Sequence, residues 1–423
     1  MMPEKLRAIF QLKDLRNKIL VTVGLLAITR VLSHIPLPGV DISALKNLFA
    51  SNQTFGLLDL FSGGAISNFS IALMGVGPYI TSSIVFQLLG VVVPYFENLQ
   101  KNEGEAGRQK INYYTRIATI PFGAIQSFSL ISVLTQQGLL GQLTMSDKLS
   151  MTLVTTAGTI LMMWIGEIIS EKGIGNGVSL IISLGIISGF PTQIRNTLAS
   201  VSSSQFLSLI IFAILFILVI GLIVMVSEAQ REIPITYARR VRESGYGSVS
   251  THLPIRIAAA GVIPIIFALA ILTFPTISAK FLAGAKSEII AKTANAMTQF
   301  FENQTYYNIF YFVLIVVFTF FYTYMIFQPK QIAENLQKQG AFIPGIRPGK
   351  ETEKYINYIL ARVTLFGAIF LGLIAVLPFV IQNAIGINTI ALGGTGILII
   401  VSVTIETYRQ IQSQLLIRTY DNY

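Results

Sequence analysis

Cysteine is absent from the 423 residues, which excludes a disulfide, a thiolate metal site and a catalytic thiol. Histidine is almost absent: His34 and His252 stand far apart and share no metal-ligand spacing. Charge is scarce, at 12% of residues against the roughly 25% of a soluble globular chain. Sequence signatures of enzymes are also missing. There is no G-x-x-x-x-G-K-[ST] loop for a nucleotide, no H-E-x-x-H helix and no G-x-S-x-G elbow. A chain with none of these is not expected to be an enzyme, and neither a cofactor nor a metal is expected.

Apolar sequence is abundant. Hydrophobic residues make up 53% of the chain and the mean hydropathy is +0.67. A helix crosses a bilayer with about 20 mostly apolar residues. Runs of that kind recur, giving an all-α polytopic membrane protein with ten expected spans. They cover about 18–35, 70–92, 112–136, 150–170, 177–197, 205–226, 257–279, 305–327, 356–381 and 390–410. The charged, amphipathic stretch Met1 to Asn17 is expected to lie along the membrane surface. No A-x-A-like site follows the first apolar run, so no cleavable signal peptide is expected.

Orientation follows from lysine and arginine. With the N-terminus inside, 23 of the 30 basic residues fall on inner segments. Loops rich in Lys and Arg stay in the cytoplasm, so both termini are expected there, and the net charge of +10 faces anionic lipid. Two inner loops are long: Glu228 to Arg256, containing YARRVRESGYG, and Gln328 to Tyr355, containing KQGAFIPGIRPGKETEKY. Basic inner loops can be topology determinants and nothing more, but their length favours docking of a cytosolic partner. Pro344, Gly345, Pro348 and Gly349 are turn formers that would present Arg347 and Lys350 at a tip.

One stretch organises the rest, residues 55 to 90. A short helix, Phe55 to Ile66, is interrupted by Gly63 and Gly64; a longer one follows, with Gly75, Gly77 and Pro78 in its first half. A broken helix at membrane depth must lie inside the protein or line a cavity. The interruption has an echo: Gly75-Val76-Gly77-Pro78 in the second span and Gly261-Val262-Ile263-Pro264 in the seventh. Each falls in the second of five spans. Five is odd, so the halves, about 1–200 and 201–423, would form an inverted repeat with its site between them. Ion-coupled carriers need ionisable residues in mid-membrane. The deep stretches of spans 2, 5, 7, 8 and 9 have none, and Arg30, Glu167 and Glu406 lie near span ends, where interfacial roles are expected. An inverted-repeat secondary transporter or lipid flippase remains the alternative and would need such a polar site. A membrane enzyme and a YidC-like insertase are further rivals; the insertase would have fewer spans and a charged groove.

The segments LFSGGAIS, GPYITSSIVFQLL, NEGEAGRQKINYYTR, GEIISEKGIGNGVSLII, STHLPIRIAAAGVIPIIFA, GAFIPGIRPGKETEKYI and GGTGILIIV run in order along the chain. Together they resemble the SecY family, the channel subunit of the bacterial Sec protein-translocation complex. The resemblance implies two pseudo-symmetric halves of five spans around an hourglass pore that passes unfolded secretory proteins and releases membrane segments sideways into lipid. It implies a pore ring at Val76, Ile80, Val178, Ile182, Ile263, Ile266 and Ile399. It implies a plug at about 55–67, including Phe61, Ser62, Gly63, Gly64, Ala65 and Ile66, and a lateral gate between the spans at about 70–92 and 257–279. Thr81, Ser82, Ser83 and Gln87 would lie along that gate. The long loops, about 228–256 and 328–355, would meet the ribosome or the SecA ATPase motor through Arg239, Arg240, Arg242, Arg347 and Lys350. SecE and SecG, a signal-bearing preprotein and the lipid of a bacterial cytoplasmic membrane complete the implied partners. Three features depart from the family pattern: Gly77 replaces a bulky residue before the proline, Asn68 a basic one, and the ring mixes Val with Ile.

Overall fold

The structure is a computed structural model; it describes residues 12–38, 62, 64–101, 103–136, 138, 140–141, 143–200, 206–237, 251–282, 287–385 and 393–421. It is predominantly helical. The first half contains α1 (Lys13–Leu32), α2 (Gly77–Val92), α3 (Pro94–Lys101), α4 (Gly104–Gln136), α5 (Met145–Lys172) and α6 (Gly177–Ser200). The second half opens with α7 (Phe206–Glu228), strands β1 (Gln230–Tyr237) and β2 (Thr251–Arg256), then α8 (Ile263–Leu282) and α9 (Glu288–Glu302). It closes with α10 (Gln304–Ile326), α11 (Pro329–Lys338), β3 (Ala341–Phe342), α12 (Lys350–Ile385) and α13 (Gly393–Asp421). Among the described residues five helical runs are long and apolar enough to cross a membrane. They lie in α4, α5, α8, the run Gln304–Lys338 and α12; a sixth results if α2 and α3, bent by 104° at their break, count as one.

The second span is not the single helix expected over 70–92. Residues 64–76 form turns, and α2 begins only at Gly77. Likewise the seventh begins in turns at 257–262, and α8 starts at Ile263. The physical reason is the motif itself. Gly75 and Gly261 take φ of 52° and 59°, left-handed values that a side chain disfavours and that a helix cannot contain. Each proline follows at the second helical residue, where the missing N–H has no intrahelical partner to lose. The Ile80 amide then donates to the Val76 carbonyl at 3.1 Å, and Ile266 to Val262 at 3.2 Å. The repeated glycine and proline therefore start a helix rather than kink one.

The echo extends beyond the motif. Gly158 of α5 lies against the backbone carbonyl of Ile71, and Gly367 of α12 against that of Ile257. Ile71 and Ile257 each stand four residues before the left-handed glycine. In both halves, then, the fourth expected span packs through a glycine on the same backbone atom of the second.

The all-helical expectation also needs one correction. The two long loops contain a three-stranded antiparallel sheet, order β2-β1-β3. Within it Ile233 opposes Leu253 and Tyr237 opposes Ala341. Ile233, Ile235, Ile255, Leu336, Ile343 and Ile356 bury together in a separate core, so both loops fold as one body on the end of α12.

Candidate functional site

The largest apolar cluster among the described residues draws on α2, α6, α8 and α13 and extends into α5, α7, α10 and α12. Val76, Ile80, Ile182, Ile266 and Ile399 are buried in it, and Val178 and Ile263 pack against it half-buried. All seven positions of the expected ring thus fall in one extended apolar cluster, and three of them, Val76, Ile80 and Ile266, line a common cavity. Position on the helix accounts for this. Val76 and Ile80 flank the first turn of α2, Ile263 and Ile266 occupy that of α8, and Val178 and Ile182 share a face near the start of α6.

A cavity of about 70 Å³ opens beside this cluster, between α2 and α4 on one side and α8 on the other. Val76, Ile80 and Ile266 line it, as do Ser62 and Ile66 from the expected plug and Thr81 from the expected gate. Leu269, Ala270, Thr273 and Phe274 of α8 complete the far wall. Toward the C-terminal end of α8 edge-to-face pairs bridge it to α4, Phe122 on Phe274 at 6.4 Å and Phe128 on Phe281 at 6.0 Å.

Polar atoms at the seam are few and neutral. Gln126 of α4 donates from Nε2 to Thr81 Oγ1 at 3.3 Å, and the Thr81 hydroxyl donates to the Gly77 carbonyl at 3.1 Å. Gln126 escaped sequence reasoning, because one amide in an apolar helix has no pattern to mark it. The four gate residues do not act as one face. Thr81 lines the cavity, whereas Ser82 turns away and donates to the Thr115 carbonyl of α4 at 2.8 Å. Gln87 donates to Ser83 Oγ one turn back at 2.9 Å. Successive helical residues are rotated by about 100°, so neighbours at 81, 82 and 83 cannot share a side.

Of the expected plug, Phe61 and Gly63 lie outside the described residues. Ala65 and Ile66 are buried, and Gly64 takes φ of 80°. The segment that follows is stitched to the end of α1: Leu37 donates to the Phe69 carbonyl at 2.8 Å and Ile71 to the Ile35 carbonyl at 3.0 Å. Phe69, fully buried, holds φ of 44°, a strained value for a bulky residue.

Sequence comparison decides the family. The SecY family profile matches residues 70–408. The protein translocase subunit SecY of Thermus thermophilus is 42% identical over 98% of this chain and 95% of its own length. That of Halalkalibacterium halodurans is 42% identical over 98% of both. The chain belongs to the SecY family. Two solved structures share the fold: one described as the structure of a protein conducting channel, with TM-score 0.65 at 19% identity, covering 94% of this chain and 91% of that one. The other is Sec61 in the canine ribosome-channel complex from the endoplasmic reticulum, with TM-score 0.62 at 17% identity and the same coverage. The SecY match takes in both helix starts, all seven clustered residues and the sheet; Ser62 and Ile66 precede it.

The SecY-type sheet presents the expected docking residues unevenly. Arg239, Arg240 and Arg242 lie outside the described residues. Arg347 and Lys350 are exposed on a tip shaped by Gly345 and Gly349, at φ of 81° and 101°. Glu351 pairs with Lys354 at 3.2 Å, and Thr352 donates to the Arg347 carbonyl at 2.9 Å. The Arg347 guanidinium has no ion-pair partner among the described residues. Nearby, Arg409 of α13 pairs with Glu228 of α7 at 2.9 Å and donates to the Ser227 carbonyl at 2.8 Å. Partial burial and adjacent Arg409 push the Arg256 guanidinium below its ordinary value, against the pull of Glu228 and Glu406. Glu167 pairs with Arg116 across α4 and α5 at 2.7 Å. No cluster of metal-ligating side chains occurs among the described residues.

Proposed function

We propose that the chain is the channel-forming subunit of a protein translocase and that the part of the apolar cluster at the starts of α2 and α8 belongs to its constriction. The observation that supports this is a cavity lined by Val76 and Ile80 from the start of α2 and Ile266 from the start of α8, within an apolar cluster that also holds Val178, Ile182, Ile263 and Ile399. A translocating polypeptide presents every side chain in turn, so its conduit can offer no specific site. Uncharged aliphatic groups close around any backbone and exclude water and ions by dewetting. A transporter would need a charged or selective polar centre here, whereas the polar side chains on this cavity are Ser62, Thr81, Gln126 and Thr273.

In this reading, ten helices cross the membrane as inverted halves, 1–200 and 201–423. The matched glycine contacts of Gly158 and Gly367 support that division. Both termini face the cytoplasm of a bacterial cell. The segment around Ser62 and Ile66 plugs the outer side, and α2 and α8 part sideways toward lipid. SecE and SecG flank the chain, and the sheet with Arg347 receives SecA or the ribosome. Reconstitution into liposomes with SecA, SecE and SecG tests the reading, scoring ATP-dependent protease protection of a signal-bearing preprotein. Protection is expected; its absence under every condition defeats the proposal.

A further inference from the structure

The helix α9 is an element that neither the hydropathy nor the channel reading uses. Placed at about 100° per residue, its apolar side chains Ile289, Phe300, Met297, Ile290, Phe301 and Ala294 fall on one arc of about 140°. Glu288, Lys292, Asn295, Gln299 and Glu302 occupy the opposite side. Only one edge of the apolar arc, Ala294 and Phe301, is buried against the protein. Ile289 is 79% exposed, with Ile290, Met297 and Phe300 also open.

What covers this face is indicated by the helix next to it. Among the five membrane-length runs, the one containing α10 has the least buried apolar window, 28%. Tyr306, Phe310, Val313 and Val317 form an exposed stripe along α10 at helical spacing, and such a stripe on a spanning helix faces lipid. The α9 face continues that stripe at its end: the Phe300 ring stacks on Tyr306 at 5.6 Å and meets Phe310 edge-on at 6.2 Å. The corner between the helices is a single residue, Asn303, whose Oδ1 accepts from the amides of Thr305 and Tyr306. Lys280 of α8 pairs with Glu302 at 3.5 Å and fixes the other side. With no slack at the corner, whatever solvates the end of the α10 stripe also solvates the apolar face of α9.

We infer that α9 is an interfacial membrane helix, lying in the headgroup layer at the end of α8 and α10 away from the three-stranded sheet. Its Ile289, Met297 and Phe300 enter the acyl boundary, and Lys292, Asn295 and Gln299 face water. Tyr306 then stands at the depth where aromatic side chains favour the interface. The inference needs the chain to sit in a bilayer but not that it conducts protein.

The absence of cysteine makes the test direct. Single cysteines replacing Ile289, Met297, Asn295 or Gln299 in the full chain are labelled with an environment-sensitive fluorophore and reconstituted in phospholipid vesicles. Quenching is compared between lipids carrying a nitroxide near the headgroup and iodide in the buffer. Labels at 289 and 297 should be quenched by the lipid nitroxide and several-fold less by iodide than labels at 295 and 299. Equal iodide quenching at all four positions would overturn the inference. So would shielding of 289 and 297 from both quenchers, which would show a protein on that face. Lipid quenching retained in a preparation that fails to translocate preprotein would separate this inference from the channel reading.

Discussion

Gly158 on α5 and Gly367 on α12 each face a backbone carbonyl, those of Ile71 and Ile257, and a Cβ at either position would collide with it. Backbone cannot swing aside as a flexible side chain does, so Gly158→Ala and Gly367→Ala should each destabilise the protein by about 1–3 kcal/mol. Gly24 in α1 has nothing near its missing Cβ, and Gly24→Ala serves as the control, neutral or slightly stabilising. Thermal unfolding of the purified chain in detergent measures all three. If Gly158→Ala and Gly24→Ala unfold alike, the close approach is not what holds these spans together. At this scale the sequence was partly legible. Gly75 and Gly261 stood out because proline follows each at the same spacing. Whether they bend a helix or begin one was hidden, because an end inside an apolar run has no polar cap to announce it. Gly158, Gly367 and Gln126 carried no signal at all, since only packing distinguishes them from any other residue in an apolar helix.

The paired inner loops are the element that sequence reasoning located but misjudged. Their length pointed to partner docking, but strands inside them went unseen, and β1 and β2 each hold a proline, Pro234 and Pro254, which sheets tolerate poorly. Alternation won: Ile233 and Ile235 bury on one face with Ile255, and β3 from the other loop completes the sheet. The amphipathic α9 was missed for a related reason, because its lysine-bearing stretch read as an outer loop. The sheet gives the docking proposal a sharper form. Arg347 is exposed and its guanidinium has no ion-pair partner among the described residues, so Arg347→Glu should change stability by no more than about 0.5 kcal/mol. It should abolish SecA-driven translocation while ribosome binding survives. Loss of both, with a lowered unfolding temperature, would mean that the residue holds the tip together.

At the scale of the whole molecule, hydropathy and motif order pointed early to a predominantly helical membrane protein of the SecY family, because each is a property of runs rather than of contacts. The seam between halves was legible only through the resemblance; apolar pairs at helical spacing occur in every membrane helix. The structure adds that the residues of the proposed constriction, from α2, α6, α8 and α13, share one apolar cluster. Removing bulk from two of these helices should therefore open a leak that a plug alone cannot stop. Ile80→Gly combined with Ile266→Gly should raise the ion conductance of idle channels in planar bilayers, and unchanged conductance would sink this account of the seal.

The two helix starts bear on what such a leak would carry. The peptide dipoles of a helix sum to about half a positive charge at its N-terminus. Both α2 and α8 begin at the proposed constriction, Gly77 near Ile80 and Ile263 near Ile266, so two such ends lie there without a formally charged side chain on the cavity. A seal at this place would be apolar in its surface yet electropositive in its field. It would repel a proton or metal cation, whereas an uncharged stretch of polypeptide would meet no such barrier.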